Sequence, residues 1–297
     1  MEKLFLISFS LISTICYGQS KAVVIDQNTK EPIPYVNIWI EDKSIGTSSK
    51  LKGEFELSID SSEIIVFSAI GYKTKRVQSD SIKEIIELES SITKLKEVVV
   101  NPKQNNLELI IGSVKKSKID ASFGVETEPW IIARYFPYQE IYKQTPYLNR
   151  VKLISRSIIK EAKFNLRFYS VNENGEPGNY LCHENIIGVA KKGKRVTEID
   201  LSDLNIGFPE EGFFIAVEWL IIDENRHEFE YTMEGSNKKY QGVSYEPVIG
   251  AVATETDQNS WVYRRGKWDK GWKNEGSIPA RYNIKYLLMA IELRLTN

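Results

Sequence analysis

The chain has 297 residues, room for about two domains, and its 42% hydrophobic and 27% charged content is that of a folded globular protein rather than a disordered one. A formal net charge of -1 leaves no basic surplus for phosphates, so no nucleic-acid partner is expected. Aromatic residues make up 11%, with 15 Tyr and 6 Trp, a composition that suits β-structure.

Residues 1–18 read as a targeting signal. Lys3 precedes the apolar run Leu4–Ile12, and Cys16-Tyr17-Gly18 ends on a small residue at the cleavage position. That run is shorter than the ~20 residues of a bilayer-spanning helix. Cleavage after Gly18 makes Gln19 the first residue and leaves no transmembrane span, so an exported protein is expected. Lipidation of Cys16 is disfavoured because Ile15, not a small residue, stands before it.

Residues 22–72 alternate short apolar runs with turn residues, the pattern of a small β-sandwich. Val23/Ile25, Val36/Ile38/Ile40, Phe55/Leu57/Ile59 and Ile65/Phe67 are the strand faces. Asn28-Thr29, Pro32/Pro34, Ile45-Gly46-Thr47 and Lys52-Gly53 punctuate them. The order of Asp26, Thr29, Pro32, Ile33, Pro34, Val36 and Ile38, then Gly46-Thr47-Ser48, Gly53, Phe55 and Leu57, then Phe67-Ser68 and Gly71-Tyr72 resembles the carboxypeptidase regulatory-like domain. Leu95–Val100 resembles that domain's closing strand. Ala22 in place of a Gly and Lys50 in place of an Asp depart from the pattern. The resemblance implies a transthyretin-like β-sandwich over residues 19–100, of the kind that precedes TonB-dependent receptors and other exported bacterial proteins. It therefore implies a location in the periplasm, at the outer membrane or on the cell surface.

Residues 101–126 read as a linker. Asn101-Pro102 stops the strand and a run rich in Asn and Gln follows. The spacing of Leu107, Ile110, Ile111 and Val114 predicts at most a short helix, weakened by Gly112. A polar connector also predicts few contacts between the units on either side. From residue 127 to 297 the β pattern resumes. Strands are predicted at Trp130–Phe136, Arg150–Ile159, Phe164–Val171, Asn185–Val189, Val196–Leu201, Gly212–Ile222, Ser260–Tyr263 and Tyr282–Leu295. Loops are predicted at Asn172–Gly178, Lys191–Gly193 and Phe208–Gly212. The fold class is thus all-β, a transthyretin-like sandwich followed by a second, jelly-roll-like sandwich. The second unit is too short for a receptor barrel of 22 strands, each ~9–11 residues long.

Catalytic and metal chemistry is sparse. His183 and His227, each followed by Glu, lack metalloprotease spacing, and adjacent strand residues diverge. The same divergence separates Cys182 from His183 and predicts an inert thiol. No metal and no cofactor are expected. Glu218 interrupts the apolar strand face Phe214, Ala216, Leu220 and Ile222, either as a tuned acid or ligand contact, or as an acid that faces solvent or pairs with a neighbouring Arg or Lys. The strongest binding signal is aromatic. Residues 260–272 read as a hairpin turning at Arg265-Gly266, with Tyr263 opposite Trp268 and Trp261 on their face. Trp261, Tyr263, Trp268, Trp272 and Glu218 are accordingly the candidate ligand-binding residues. The alternative is that the aromatic face packs into the core.

The expected function is non-catalytic binding or adhesion at the cell envelope, with a polysaccharide or another envelope protein as partner. A carbohydrate-active hydrolase using Glu218 and a structural accessory docking by strand addition are the alternatives. The cysteine count generates a first prediction. A chain cleaved after Gly18 retains Cys182 alone, so reductant should leave the monomer's thermal midpoint unchanged. A shift of several degrees would show that a second cysteine persists.

Overall fold

The computed structural model describes residues 19–60, 62–91, 106–119, 121–233, 235–274 and 282–297. The predicted targeting signal and the closing strand Leu95–Val100 lie outside them. The described chain is all-β, and its only helices are short 3-10 turns, so none is long and apolar enough to cross a membrane.

The first module contains β1 (Gln19–Asp26), β2 (Asn37–Ile40), β3 (Gly46–Ser48), β4 (Glu54–Ser58), β5 (Ile64–Ser68), β6 (Lys75–Gln78) and β7 (Ile85–Leu88). They form two sheets, ordered β4-β1-β7 and β3-β2-β5-β6. Val24, Ile38, Phe55, Phe67 and Leu88 fill the space between them, with Phe55 edge-on to Phe67 at 5.6 Å. Strand β4 alternates as predicted, Phe55 and Leu57 facing in and the three polar residues out. The sequence motifs have mechanical roles. Asp26 accepts hydrogen bonds from the backbone of Asn28 at 2.7 Å and Thr29 at 2.8 Å, and from Ser90 Oγ at 2.9 Å, closing the first turn. The Thr29 and Asn28 amides hold its carboxyl down to about 2. Gly53 sits at φ +74°, where a Cβ would lie 2.4 Å from the Val24 carbonyl oxygen.

The second module contains β8 (Glu108–Gly112), β9 (Ala121–Val125), β10 (Ile131–Phe136), β11 (Tyr147–Val171), β12 (Pro177–Tyr180), β13 (Ile186–Asp200) and β14 (Phe213–Trp219). It continues with β15 (Arg226–Thr232), β16 (Lys239–Thr254), β17 (Ser260–Arg264), β18 (Lys267–Lys270), β19 (Lys273–Asn274), β20 (Lys285–Met289) and β21 (Ile291–Thr296). The 25-residue β11 is its spine. The first half pairs with β13 and β21, and the second half with β13 and β14. Trp219, Phe164, Phe168, Phe213, Leu153 and Ile291 occupy the main core.

Several predicted boundaries are corrected. Arg150–Ile159 and Phe164–Val171 are one strand, because the intervening Lys160–Lys163 contains no Gly or Pro to break it. Lys191–Gly193 lies inside β13 rather than in a loop. Gly193, at φ +85°, faces a register shift between Ser157 and Glu161, so the glycine marks a bulge and not a reversal. Tyr282–Leu295 is split at Ala290. The predicted short helix near residue 110 is β8, paired with β21 from Glu108↔Thr296 to Gly112↔Glu292. An available strand edge outweighs a weak helical spacing among β-branched residues.

The expectation of few contacts between the modules is also corrected. All seven residues of β14 are buried, so both faces of this strand are covered. One face looks into the main core. The other, continued by Leu220 and Ile222, is covered partly by the β17–β18 hairpin and partly by the first module. Tyr35 packs on Leu220, Ile222 and Ile187. Ser48 N donates to the Ile221 carbonyl at 3.0 Å and Ile221 N donates to Ser48 Oγ at 3.0 Å. Thr47 Oγ1 donates to the same carbonyl at 3.2 Å, and Lys50 pairs with Asp223 at 2.6 Å. Gly46 has no side chain because Pro129 occupies its place, with Cγ 2.5 Å from where a Cβ would stand. Each apolar side chain fully buried in this seam contributes roughly 1.5–3 kcal/mol, which links the stability of one module to the other. The chain should therefore melt in a single calorimetric transition, and an isolated 19–100 fragment should melt below it. Two resolved transitions in the intact protein would contradict a shared seam.

Candidate functional site

Strands β17 and β18 form the predicted hairpin in the predicted register, Tyr263 opposite Trp268. Arg265 and Gly266 both have positive φ, 51° and 81°, as a tight two-residue turn of this hand requires. The aromatic face of the hairpin turns inward. Trp261 is buried, edge-on to Phe214 at 5.9 Å, and Lys270 Nζ sits 3.8 Å from its ring centroid. Tyr263 meets Trp39 of the first module edge-on at 6.4 Å, and burial pushes its phenol up to about 12. Trp268 packs 5.1 Å from Tyr263 and 5.4 Å from Tyr169. These three rings cover the outer face of β10 and β14 and help to hold the seam together.

Glu218 lies in the same layer, buried with Arg167. Arg167 Nε and Nη2 donate to Glu218 Oε2 at 2.9 and 2.8 Å, and Asn165 Nδ2 donates to it at 3.2 Å. Asn37 Nδ2, from the first module, donates to Oε1 at 3.3 Å. Arg167 Nη1 donates to Asn185 Oδ1 at 2.8 Å. Burial opposes the guanidinium's charge, but the Glu218 carboxylate together with the Tyr180 and Tyr169 phenols outweighs it and holds the pKa above its ordinary value. Burial likewise pushes up the Tyr169 and Tyr180 phenols that close the pocket. Glu218 is half of an ion pair, held from both modules.

Trp272 behaves differently. It lies two residues beyond β18 and is 46% exposed. Its indole stacks on Trp130, centroids 5.7 Å apart and planes 20° apart, and Trp130 stacks on the fully buried Trp219 at 5.8 Å and 17°. Trp219 Nε1 donates to the Pro247 carbonyl at 2.6 Å, which anchors the inner end of this three-indole column. The Arg264 guanidinium lies 4.9 Å from the Trp272 ring centroid and 5.5 Å from that of Trp130. Two cavities flank Trp130. A mainly apolar one of about 190 Å³ includes Phe123, Val262, Gly271, Trp272 and Leu287. A polar one of about 340 Å³ includes Ser44, Glu126, Thr127, Glu128 and Arg264. Arg265 Nη2 donates to Ser44 Oγ at 2.7 Å and brings the first module to the rim. Glu128 Oε1 is buried, 3.6 Å from Arg265 Nε, and accepts no hydrogen bond from the described residues. Trp130, Arg264 and Glu128 were not anticipated from sequence. Only their closeness to the predicted hairpin and strand hinted at them.

Cys182 and His183 fall in the loop between β12 and β13, not in a strand, and line one cavity of about 520 Å³ with Leu204, Ile206 and Phe208. Burial pushes the Cys182 thiol up, away from the reactive thiolate. His227 lies in β15, so the predicted divergence from Glu228 holds there. Among the described residues no group of three or more His, Cys, Asp or Glu is placed to hold a metal.

With the geometry in view, the chain is a two-module all-β protein whose modules share a buried seam. Residues 21–100, spanning β1 to β7, match the CarboxypepD_reg-like domain. No curated protein matches the chain. Among solved structures, one similar chain comes from the infectious bursal disease virus Gx strain, with 9% identity, a TM-score of 0.25, and coverage of 88% of this chain and 61% of that one. Another comes from the T13 IBDV viral particle, with 8% identity, a TM-score of 0.26, and coverage of 93% and 61%. Likeness at this level carries no argument about the present chain.

The seam generates a prediction. Glu218→Ala strands a buried guanidinium and should cost about 3–5 kcal/mol, read from urea denaturation. Replacing Arg167 and Glu218 together by Met and Leu should recover most of that loss. A Glu218→Ala loss under about 1 kcal/mol would mean that the pair is solvated.

Proposed function

We propose that this is a non-catalytic binding or adhesion protein of the cell envelope, exported through its N-terminal signal, whose ligand is a polysaccharide bound at the Trp130–Trp272 cleft. The observation that carries the reading is the indole column: Trp272 stands out of the surface while Trp130 and Trp219 fix its orientation from behind. A held indole costs little further ordering when a flat apolar ring face settles on it. The flanking groups suit a hydroxyl-rich ligand. Arg264, Ser44 and Thr127 are donors on the same rim. The cleft also lies where the modules meet, a common place for ligand sites.

Two features weigh against a hydrolase, and one bears on a strand-adding accessory. Glu218, the acid on which a hydrolase reading depends, is spent on Arg167. Glu126 and Glu128 come from one short segment rather than from opposite walls, unlike carboxylates flanking a scissile glycosidic bond. For the strand-adding accessory, the β3 edge of the first module already meets Ile221 of the second, which leaves the β4, β6 and β7 edges to carry such docking.

Binding should be measured on a glycan array and then by titration calorimetry with the best ligand. Trp272→Ala is expected to abolish binding while costing less than about 1 kcal/mol of stability. Trp261→Ala, in the seam, should cost about 3–5 kcal/mol. A Trp272→Ala protein that bound glycans like the wild type would rule out the cleft.

A further inference from the structure

Strand β11 changes partners at a corner that it shares with β13. Its first half pairs with β21 and β16 and its second half with β14, and between Ser157 and Glu161 it carries three residues against the single Lys192 of β13. Ser157 ties the extra length into a small turn. Its Oγ accepts the Ile159 amide at 3.2 Å and donates to the Ile159 carbonyl at 2.9 Å. Ile158 stands at the apex of that turn and is 53% exposed. Val189 and Val196, on either side of the bulge in β13, are exposed as well. Large apolar side chains gathered at one place in water mark a surface that something else covers.

The same corner is strongly basic. Over Arg156–Lys163 of β11 and Val189–Val196 of β13 there are seven Lys and Arg residues and one acid, Glu161, in a chain whose net charge is -1. The register sets Arg156 opposite Lys194, a like-charge pair that a sheet does not choose for its own stability. Lys194 reaches the Ile119 carbonyl. Arg156, Lys160, Lys191, Lys192 and Arg195 are exposed and form no ion pair among the described residues. Lys115 and Lys116, at the 3-10 turn that lies beside β13, extend the surface. Glu246, whose carboxylate faces the Ile158 amide, is buried and stays out of it.

Lysines on an open strand edge deter pairing with another chain, and β13 is such an edge, since within the described chain it pairs only with β11. That role accounts for Lys191 and Lys192. It does not account for Arg156 and Lys160, which belong to a strand with neighbours on both sides, nor for Ile158 between them. A soluble polyanion would use the cations and leave the apolar apex in water. The same corner of a second copy would be repelled by like charge. An anionic bilayer uses both features, because its headgroups meet the cations while an apolar side chain at an apex enters the acyl boundary.

We propose that the β11–β13 corner is a docking surface for an anionic lipid bilayer, with Ile158 entering the interface and the surrounding Lys and Arg side chains on the headgroups. The surface shares no residue with the tryptophan cleft and does not depend on the reading of that cleft.

The test is vesicle flotation with the chain from Gln19 onward, so that the apolar run Leu4–Ile12 cannot itself bind lipid. The vesicles are phosphatidylcholine alone, or phosphatidylcholine with phosphatidylglycerol as a minor component, each in low and high salt. Wild type is expected to float with the anionic vesicles only and to be released by high salt. Ile158→Ser and the double variant Lys191→Gln/Lys192→Gln are each expected to partition at least about tenfold more weakly, at an unchanged thermal midpoint. Arg195→Gln reads the same charge should the double variant melt early. Trp272→Ala is expected to float like wild type, which keeps this result apart from that of the cleft. Wild type that floats with neither vesicle, or equally with both, overturns the proposal, and so do charge variants that float like wild type. An Ile158→Ser protein that floats like wild type overturns it too, and equal retention of the two on heparin would then assign the surface to a soluble polyanion. Loss, in the charge variants, of a wild-type dimer seen in sedimentation also overturns it, by assigning the corner to an acidic face of a second copy.

Discussion

The constraint on which the rest of this structure depends is the two-sided burial of β14. A strand with apolar residues at every position but one cannot leave either face in water, and each face of Phe213–Trp219 finds a different cover. The face bearing Phe213, Ile215, Val217 and Trp219 closes the main core. The other, with Phe214 and Ala216, needs a lid, which the β17–β18 hairpin and the first module provide together. The first module is therefore a wall of the second and not a bead on a string. Its Gly46-Thr47-Ser48 segment is the surface that meets Ile221 and Pro129.

Glu218 stands in the middle of that covered face. A buried ion pair is a poor source of net stability, since desolvation offsets most of the attraction. It is a better source of specificity. Only one docking arrangement brings Asn37 to the carboxylate while Arg167 holds the other oxygen, and any sliding of the modules would take the Asn37 donor away from the buried Oε1. The apolar contacts supply the adhesion, and the polar cluster selects the register.

Much of the first module was legible because its turns are made by residues with narrow conformational roles. Asp26 closes a turn with its own carboxylate, Gly53 takes a positive φ, and the alternation of β4 reads directly as in and out. The β17–β18 hairpin was legible for the same reason, through Arg265-Gly266. What could not be read were properties set by distant partners. The long strands β11 and β13 run through a bulge that looks locally like a turn, and β8 is a strand because β21 has an edge to offer. The aromatic face of the hairpin was visible, but whether it looked outward depended on a first module some 200 residues upstream in sequence, for which local pattern carries no signal. The column through Trp130 joins residues from three separate strands or strand ends, and only Trp272 showed itself beforehand.

The pairing of β8 with β21 has a mechanical side. Asn297 Oδ1 accepts the backbone amides of Asn106 and Leu107, so residue 106 and residue 297 lie side by side at one end of an antiparallel ladder. Tension applied between those two points would reach Glu108↔Thr296 first and open the ladder one pair at a time, as a zipper opens. A ladder loaded along its length resists with all its hydrogen bonds at once, whereas this one yields sequentially and at low force. Pulled from these two points, the protein would lengthen by releasing β8 first, while the β11 spine and the seam between the modules stayed intact.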